Sequence, residues 1–595
     1  MTFNDYYLSE LSALRQLGQR FAERNPGLAP WLGQPGQDPD VERLLEGFAF
    51  LTGRLRQKLD DDLPELTHSL VQLLWPNYLR PLPAFSILQF DPLEQPEAGR
   101  LVVRGSPIES RPVDGVRCRF RTCYDTEVHP LALTELSLSA DAQGALLTLR
   151  LHVTGEGHLG QLSLQRLRLH LAGERPVSQT LYLSLLRHLQ DVVLLPLGGD
   201  GQALCDESGH PVTLKLPADS VQPVGFAEHE ALVPYPLNTF RGYRILQEYF
   251  AFQDKFLFVE LQGLVALQSL PQRLLQQGRG FELRLAMGNP ALCQLQPGAA
   301  NVRLYCTPIV NLFRHDALPL RIDGRRDDYL LMACADGAQS RAVYSVDSVV
   351  GWRSGGLGYR NYVPFESFEH DPSFEMTGRQ PYYSVRQRPS PVHGSLETWL
   401  SFTGDSPQVG ETLSVELTCT NHDLPRRLQV GEIDQPCENG PAFVRFRNIV
   451  PATRSYPPPL GRDFLWRLIS NMSLNYLSLT NVEALKVILQ TYDLPRHYDP
   501  HAERLSNHLL GGLQAVQHLG VDRLHQGLPV RGLRTLLRID PRHFSGAGDL
   551  FLFASVLNEF FALYASLNSF HELQVITTQG ENHRWKPRMG QQPLL

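Results

Sequence analysis

The stretch Asp38–Leu63, DPDVERLLEGFAFLTGRLRQKLDDDL, constrains this chain more than any other. Asp38 is placed to cap a helix start, Pro39 suits the first helical position, and Asp40 and Glu42 complement the positive end of the helix dipole. Val41, Leu44, Phe48, Leu51, Leu55 and Leu59 then recur at steps of three and four, with Leu45 and Phe50 widening the seam on one side. At about 1.5 Å per residue the predicted helix is roughly 37 Å long. A seam of that length needs other helices beside it, from this chain or from a partner.

The flanking sequence supplies two candidates. Thr2 to Arg24 carries Tyr7, Leu11, Leu14 and Phe21 at helical spacing, with Gly18 where a neighbouring helix could come close, and Asn25-Pro26-Gly27 ends it. Pro64 is expected to open a third, short helix bearing Leu66, Leu70, Leu73 and Leu74. Residues 1–82 therefore read as a helical assembly module.

From Pro83 the period changes to two. FSILQF (85–90), RLVVRG (100–105), RCRFRT (117–122), ALLTLRLHV (145–153) and RLRLHL (166–171) predict antiparallel strands, interrupted by a helix at 178–192. Residues 83–225 form one expected β-rich domain and 226–460 a second. The second contains the aromatic segment 232–261, with a helix at 241–249 and a strand at 255–261, and a stretch from Gly351 to Pro391 expected to be a long ordered loop or a boundary. Residues 461–595 are expected to form a mixed domain, with helices at 463–471, 481–492 and 502–513 and strands at 530–539 and 570–578. Within it, DLFLFASVLNEFFALYASLNSF (549–570) is apolar nearly all round, which places it in a core or between subunits. The fold class is α+β and multidomain: a helical bundle module, central antiparallel sandwich- or barrel-like domains, and a C-terminal α+β domain.

Composition narrows the function. The 595 residues are 42% hydrophobic and 20% charged, with a net charge of −7, which gives nucleic acid or an acidic membrane no general attraction. Lysine occurs at only five positions, Lys58, Lys215, Lys255, Lys486 and Lys586, so the cations are almost all arginines, the side chains better suited to bidentate interface contacts. Eight cysteines are scattered without a C-x-x-C pair, and the N-terminus does not read as a signal peptide, so free thiols in a reducing, cytoplasmic compartment are expected. No run of apolar residues is long enough for a transmembrane helix.

No motif for catalysis emerges: there is no G-x-x-x-x-G-K-S/T, H-E-x-x-H or G-x-S-x-G, and Gly355-Gly356-Leu357-Gly358 reads as a tight turn. His497 and His501, near Asp493, Asp499 and Glu503, could offer metal ligands one turn apart, but Pro500 between them argues for an ordinary loop. Asp60-Asp61-Asp62 points around a helix rather than to one centre, and Cys118 and Cys123 are expected to be buried thiols. No catalytic residue, cofactor or metal ligand is assigned.

Several long stretches resemble one family. Residues 38–83, together with YYLSELSALRQLGQRFAERNP (6–26), are similar to the N-terminal signature of TssF, the type VI secretion baseplate subunit. So are YPLNTFRGYRILQEYFAFQDKFLFVEL (235–261), NLFRHDA (311–317), FLWRLISNMSLNYLSL (464–479), LFLFASVLNEFFALYASLNSF (550–570) and WKPRMGQQPLL (585–595), in the same order along nearly the whole chain. The resemblance implies a structural wedge subunit of the contractile-tail baseplate type, without cofactor or enzymatic activity. It would assemble with TssG, a second TssF copy, TssK and TssE around the VgrG hub, dock to the membrane complex and nucleate the Hcp tube and sheath. Tyr7, Leu11, Leu14, Val41, Leu44, Phe48, Leu51 and Leu55 are the candidate partner-interface residues. The alternatives are a baseplate wedge of another contractile injection system and a β-rich hydrolase.

Overall fold

The computed structural model describes residues 3–24, 27, 38–95, 99–140, 144–235, 242–288, 292, 294–334, 340–353, 358–366, 381–390, 396–404, 407–460, 465, 468–469, 481–525 and 527–590; over 3–6, 9–10, 16, 19–20, 24, 55–67, 140, 353, 389, 404 and 525 it describes the backbone alone. The helices used below are α1 (Phe3–Arg24), α2 (Pro39–Leu74), α3 (Arg175–Arg187), α4 (Gly242–Ala251), α5 (Gln272–Gln277), α6 (Val482–Tyr492), α7 (Pro500–Gly511) and α8 (Ala547–Ala562). The chain divides into two compact units. One gathers Met1–Leu79 with Leu460–Ser470, and the other takes Arg80–Pro459 with Asn471–Leu595.

The first unit is built on α1 and α2. Asp38 caps α2 as its sequence predicts: its Oδ1 accepts from the Asp40 N–H at 2.9 Å and the Val41 N–H at 3.4 Å. The helix does not end at Pro64. It runs on for 36 residues to Leu74, about 54 Å at the usual rise, so the separate third helix is corrected to a continuation of the second. A proline inside a helix forfeits one backbone hydrogen bond and costs about 3 kcal/mol. Here Leu59, Leu63, Leu66, Leu70 and Leu73 continue the same steps of three and four across it, so one apolar seam spans the break. Leu460–Ser470 also joins this unit, and its Leu465 and Leu468 are buried.

The second unit is built from sheets whose strands come from widely separated sequence. Ala145–Val153 shows the period-two logic plainly: Ala145, Leu147, Leu149, Leu151 and Val153 are buried and alternate with more open residues. It pairs with Leu131–Ala140 on one side and Gly280–Met287 on the other, and the latter pairs in turn with Leu189–Leu197. A second sheet places Phe85–Phe90 between Cys306–Val310 and Phe446–Asn448. A third sets Phe258–Gln262 between Val221–Val224 and Arg166–Leu171. Strands before and after residue 225 thus share sheets throughout this region.

An eight-stranded sheet follows, from Phe313 to Thr420, with its own core of Tyr329, Val349, Tyr362, Leu400, Val415 and Leu417. The expected loop or boundary at 351–391 contributes two of its strands, Gly358–Pro364 and Pro381–Pro389, which pair in parallel at Val363 and Tyr382. Tyrosine, valine and arginine alternate there without a long aliphatic run, a pattern that fits a sheet with one half-open face. Gly351 lies at a close approach: a Cβ there would crowd Glu411 Oε1, the atom that accepts from the Tyr362 hydroxyl at 2.8 Å, and would push that carboxylate aside.

The C-terminal sheet orders Leu513–His525, Leu528–Ile539, Phe570–Thr577 and Asn582–Arg584, with Arg588–Met589 also against Phe570–Thr577. Leu513–His525 is a strand absent from the sequence reading. The expected helix at 463–471 falls largely outside the described residues. The expected long apolar helix is α8, 16 residues, with Phe553, Leu557, Phe560 and Phe561 all fully buried.

Candidate assembly interface

Helix α2 sorts its apolar residues onto two stripes. Val41, Leu45, Ala49 and Gly53 follow one another at intervals of four; Ala49 and Gly53 are buried and the other two half-buried. α1 packs on α2 and contributes buried Leu11 and Ala22, and an ion pair joins Arg15 to Glu42. Small residues at this contact let the two backbones come close. Leu44, Phe48 and Leu51 lie about 110° around the helix from that stripe. They are 74%, 56% and 65% exposed, and α1 leaves Leu8 and Leu17 similarly open.

Among the predicted interface residues, then, Leu11 is buried between helices, Tyr7, Leu14 and Val41 are half-buried, and Leu44, Phe48 and Leu51 form an open stripe. The side chain of Leu55 lies outside what is described.

Three of the other resemblance-bearing segments, 235–261, 550–570 and 585–595, meet in a core through their described residues. Tyr243 of α4 stacks on Tyr492 of α6 at 4.2 Å between ring centroids, and its hydroxyl accepts from Tyr564 at 3.1 Å. Tyr249 packs on Phe553 and Tyr182 of α3 on Phe551, so α8 is held by α3 and α4 together. Gln179 Nε2 donates to Asp549 at 3.1 Å, and a Cβ on Gly548 would fall 2.4 Å from the Gln179 backbone. Trp585 stacks on Phe551 and donates to Ser555, closing the far side of α8.

Beneath α4 lies the most unusual electrostatic feature. Lys255 is completely buried and pairs with Glu248, itself 2% exposed. Glu248 also accepts from the Leu232 N–H at 2.8 Å, and Arg244 stands 3.7 Å from it. Arg168 joins Glu260 at 3.0 Å and Glu230 at 3.5 Å, while Glu230 accepts from the backbone of Gly225 and Ala227. Desolvation lowers the Lys255 amine to about 8, opposed by the charge of Glu248. Every carboxylate here is matched by a cation or a backbone N–H, so the network staples the 225–232 turn to α4.

Elsewhere the chemistry is quiet. Burial pushes the Cys118 thiol up to about 11 and the Cys123 thiol up to about 12, which leaves both poor nucleophiles. His497 ends a short 3-10 turn, whereas His501 lies in the first turn of α7, where its N–H bonds the capping Asp499 at 2.8 Å. Gly355, Gly356 and the side chains of Asp60, Asp61 and Asp62 lie outside what is described. A groove of about 910 Å³ is lined by Asp91, Arg100, Arg111, Asp434, Phe443 and Arg445 among others, with Arg111 bound to Asp434 at 2.6 Å. No helix among the described residues is long and apolar enough to cross a membrane.

Two solved structures similar to this chain come from type VI secretion baseplates. One chain of a cryo-electron microscopy structure of a type VI secretion TssK–TssF–TssG baseplate subcomplex matches with a TM-score of 0.76 and 34% identity, covering 93% of this chain and 99% of that one. A chain of the baseplate complex from the type VI secretion system matches over 100% of both chains, with a TM-score of 0.61 and 31% identity. The protein is a subunit of the type VI secretion baseplate. The family model for the type VI secretion system protein TssF matches residues 1–592. Type VI secretion system component TssF1 of Pseudomonas aeruginosa is 30% identical, over 99% of each chain. The chain belongs to the TssF family.

Proposed function

We propose that the chain acts as a wedge subunit whose helical unit joins TssG and a second copy of itself in a shared bundle. One observation carries this reading: Leu44, Phe48 and Leu51 stand open on α2 although α1 already covers the neighbouring stripe. Three large side chains left in water on one helix face stabilise an assembly by about 1.5–3 kcal/mol each once buried. A similar chain was solved together with TssK and TssG, which supports TssG as the occupant and TssK as a further neighbour.

On this reading the wedge, with TssE, surrounds the VgrG hub at the cytoplasmic face of the inner membrane and provides the platform on which the Hcp tube and sheath begin. The role is assembly and not turnover, in keeping with structural relatives and a tightly paired interior. Co-expression with TssG followed by mass determination tests it. A complex with two copies of this chain per TssG is expected; a lone, stable monomer in the presence of soluble TssG would overturn the reading.

A further inference from the structure

Among the described residues, the C-terminal sheet is covered on one of its faces, by α8. His518, Thr535 and Leu573 lie on the side of α8, with Thr535 bridging His518 and His571 at 2.9 Å each and both imidazoles against Phe561. The register assigns the opposite face residue by residue. One row runs Leu519, Arg534, Glu572; the next Gln517, Leu536, Gln574, Arg584; the third Ala515, Arg538, Ile576, Asn582. Leu519, Gln517, Arg538, Asn582 and Arg584 are exposed, and Leu536, Gln574 and Ile576 half-buried, so this face is open.

Its charge is one-sided. Arg523 and Arg534 approach Glu572 at 2.9 and 3.5 Å, and Arg584 pairs with the same carboxylate. Glu572 is 0% exposed and is the only carboxylate among the described residues of these rows. One negative charge thus gathers three guanidiniums, and Arg538 adds a fourth cation, on a chain whose net charge is −7. The Arg534 Nε is buried without a hydrogen-bond partner, an unsatisfied donor within the cluster. Around the cations lie aliphatic groups: Leu519 at 47% exposure, Leu536, Ile576 and Met589.

We infer that this open face is a docking surface for an acidic, amphipathic segment of a partner protein, whose carboxylates engage Arg523, Arg534, Arg538 and Arg584 while its aliphatic side chains cover Leu519 and Ile576. Surplus guanidiniums held rigidly around one buried carboxylate are pre-organised for bidentate carboxylate contacts. The inference stands apart from the helical interface and does not need it.

The test uses the full-length protein and three fluorescent probes: a peptide alternating glutamate with valine, the same peptide with lysine for glutamate, and a short DNA duplex. The acidic peptide is expected to bind saturably, weaken as salt is raised, and lose about tenfold in affinity with Arg538→Glu and with Leu519→Ser. Both positions are exposed, so unchanged thermal melting of the variants is expected alongside. No binding of the acidic peptide, equal binding of the lysine peptide, or indifference to both substitutions would overturn the proposal. Tighter binding of DNA would overturn it in favour of nucleic acid. Self-association abolished by Arg538→Glu would overturn it in favour of a second copy of the chain.

Discussion

Helix α8 is apolar nearly all round, helix α2 carries its apolar residues on stripes, and the two are used in opposite ways. α8 has a partner on every side: α3, α4, the Phe570–Thr577 strand and Trp585 enclose it. α2, over its described first turns, is covered along the Val41–Gly53 stripe and leaves Leu44, Phe48 and Leu51 in water. Both apolar content and its angular distribution separate these roles: an all-round apolar helix needs an all-round core, whereas a striped helix can divide its faces between its own chain and another.

The comparison can be broken first at α8. Phe553→Ala is expected to cost about 3–5 kcal/mol, since a fully buried ring leaves a cavity that the enclosing helices cannot close. Urea unfolding measures it, and a loss below about 1 kcal/mol would mean that α8 is less enclosed than described. Lys255→Met comes next, at about 3 kcal/mol, because Glu248 is left buried with only the Leu232 N–H and Arg244, 3.7 Å away, to meet its charge.

A smaller effect separates burial from packing through pH. Desolvation raises the Asp493 carboxyl, at the end of α6, to about 6 in the folded protein, against about 3.9 when unfolded. Between those values the folded state binds the extra proton, so this group's effect on stability is most unfavourable above pH 6 and is relieved as pH falls towards 4. Asp493→Asn should therefore stabilise the protein by about 2–3 kcal/mol at pH 7 and match the parent near pH 4. Melting curves across that range check it, and parallel curves for the two proteins would refute the shift.

Much of this was legible beforehand because it is local. The Asp38 cap, the period-two strand at 145–153 and the apolar run of α8 each carry their instruction within a dozen residues. Pro64 misled because a local penalty was outvoted by a seam that continues past it. Leu513–His525 was missed because Gly520 and two histidines interrupt its alternation, and only pairing with Leu528–Ile539 makes it a strand. Pairings such as Phe85 with Val310, or the return of Leu460–Ser470 to the helical unit, depend on distant partners that no window contains. For the candidate interface the sequence supplied the seam but not its division. Ala49 and Gly53 were the available signal: small residues four apart mark where α1 could approach.

The smallest effect on the isolated chain is expected at that open stripe. Leu44→Asp and Phe48→Asp together should change its unfolding free energy by less than about 0.5 kcal/mol, because neither side chain is covered in the monomer. The same double variant, co-expressed with TssG, tests the central claim most directly. It should remain folded and elute alone, while the parent elutes with TssG. Co-elution at the parental ratio would contradict the account.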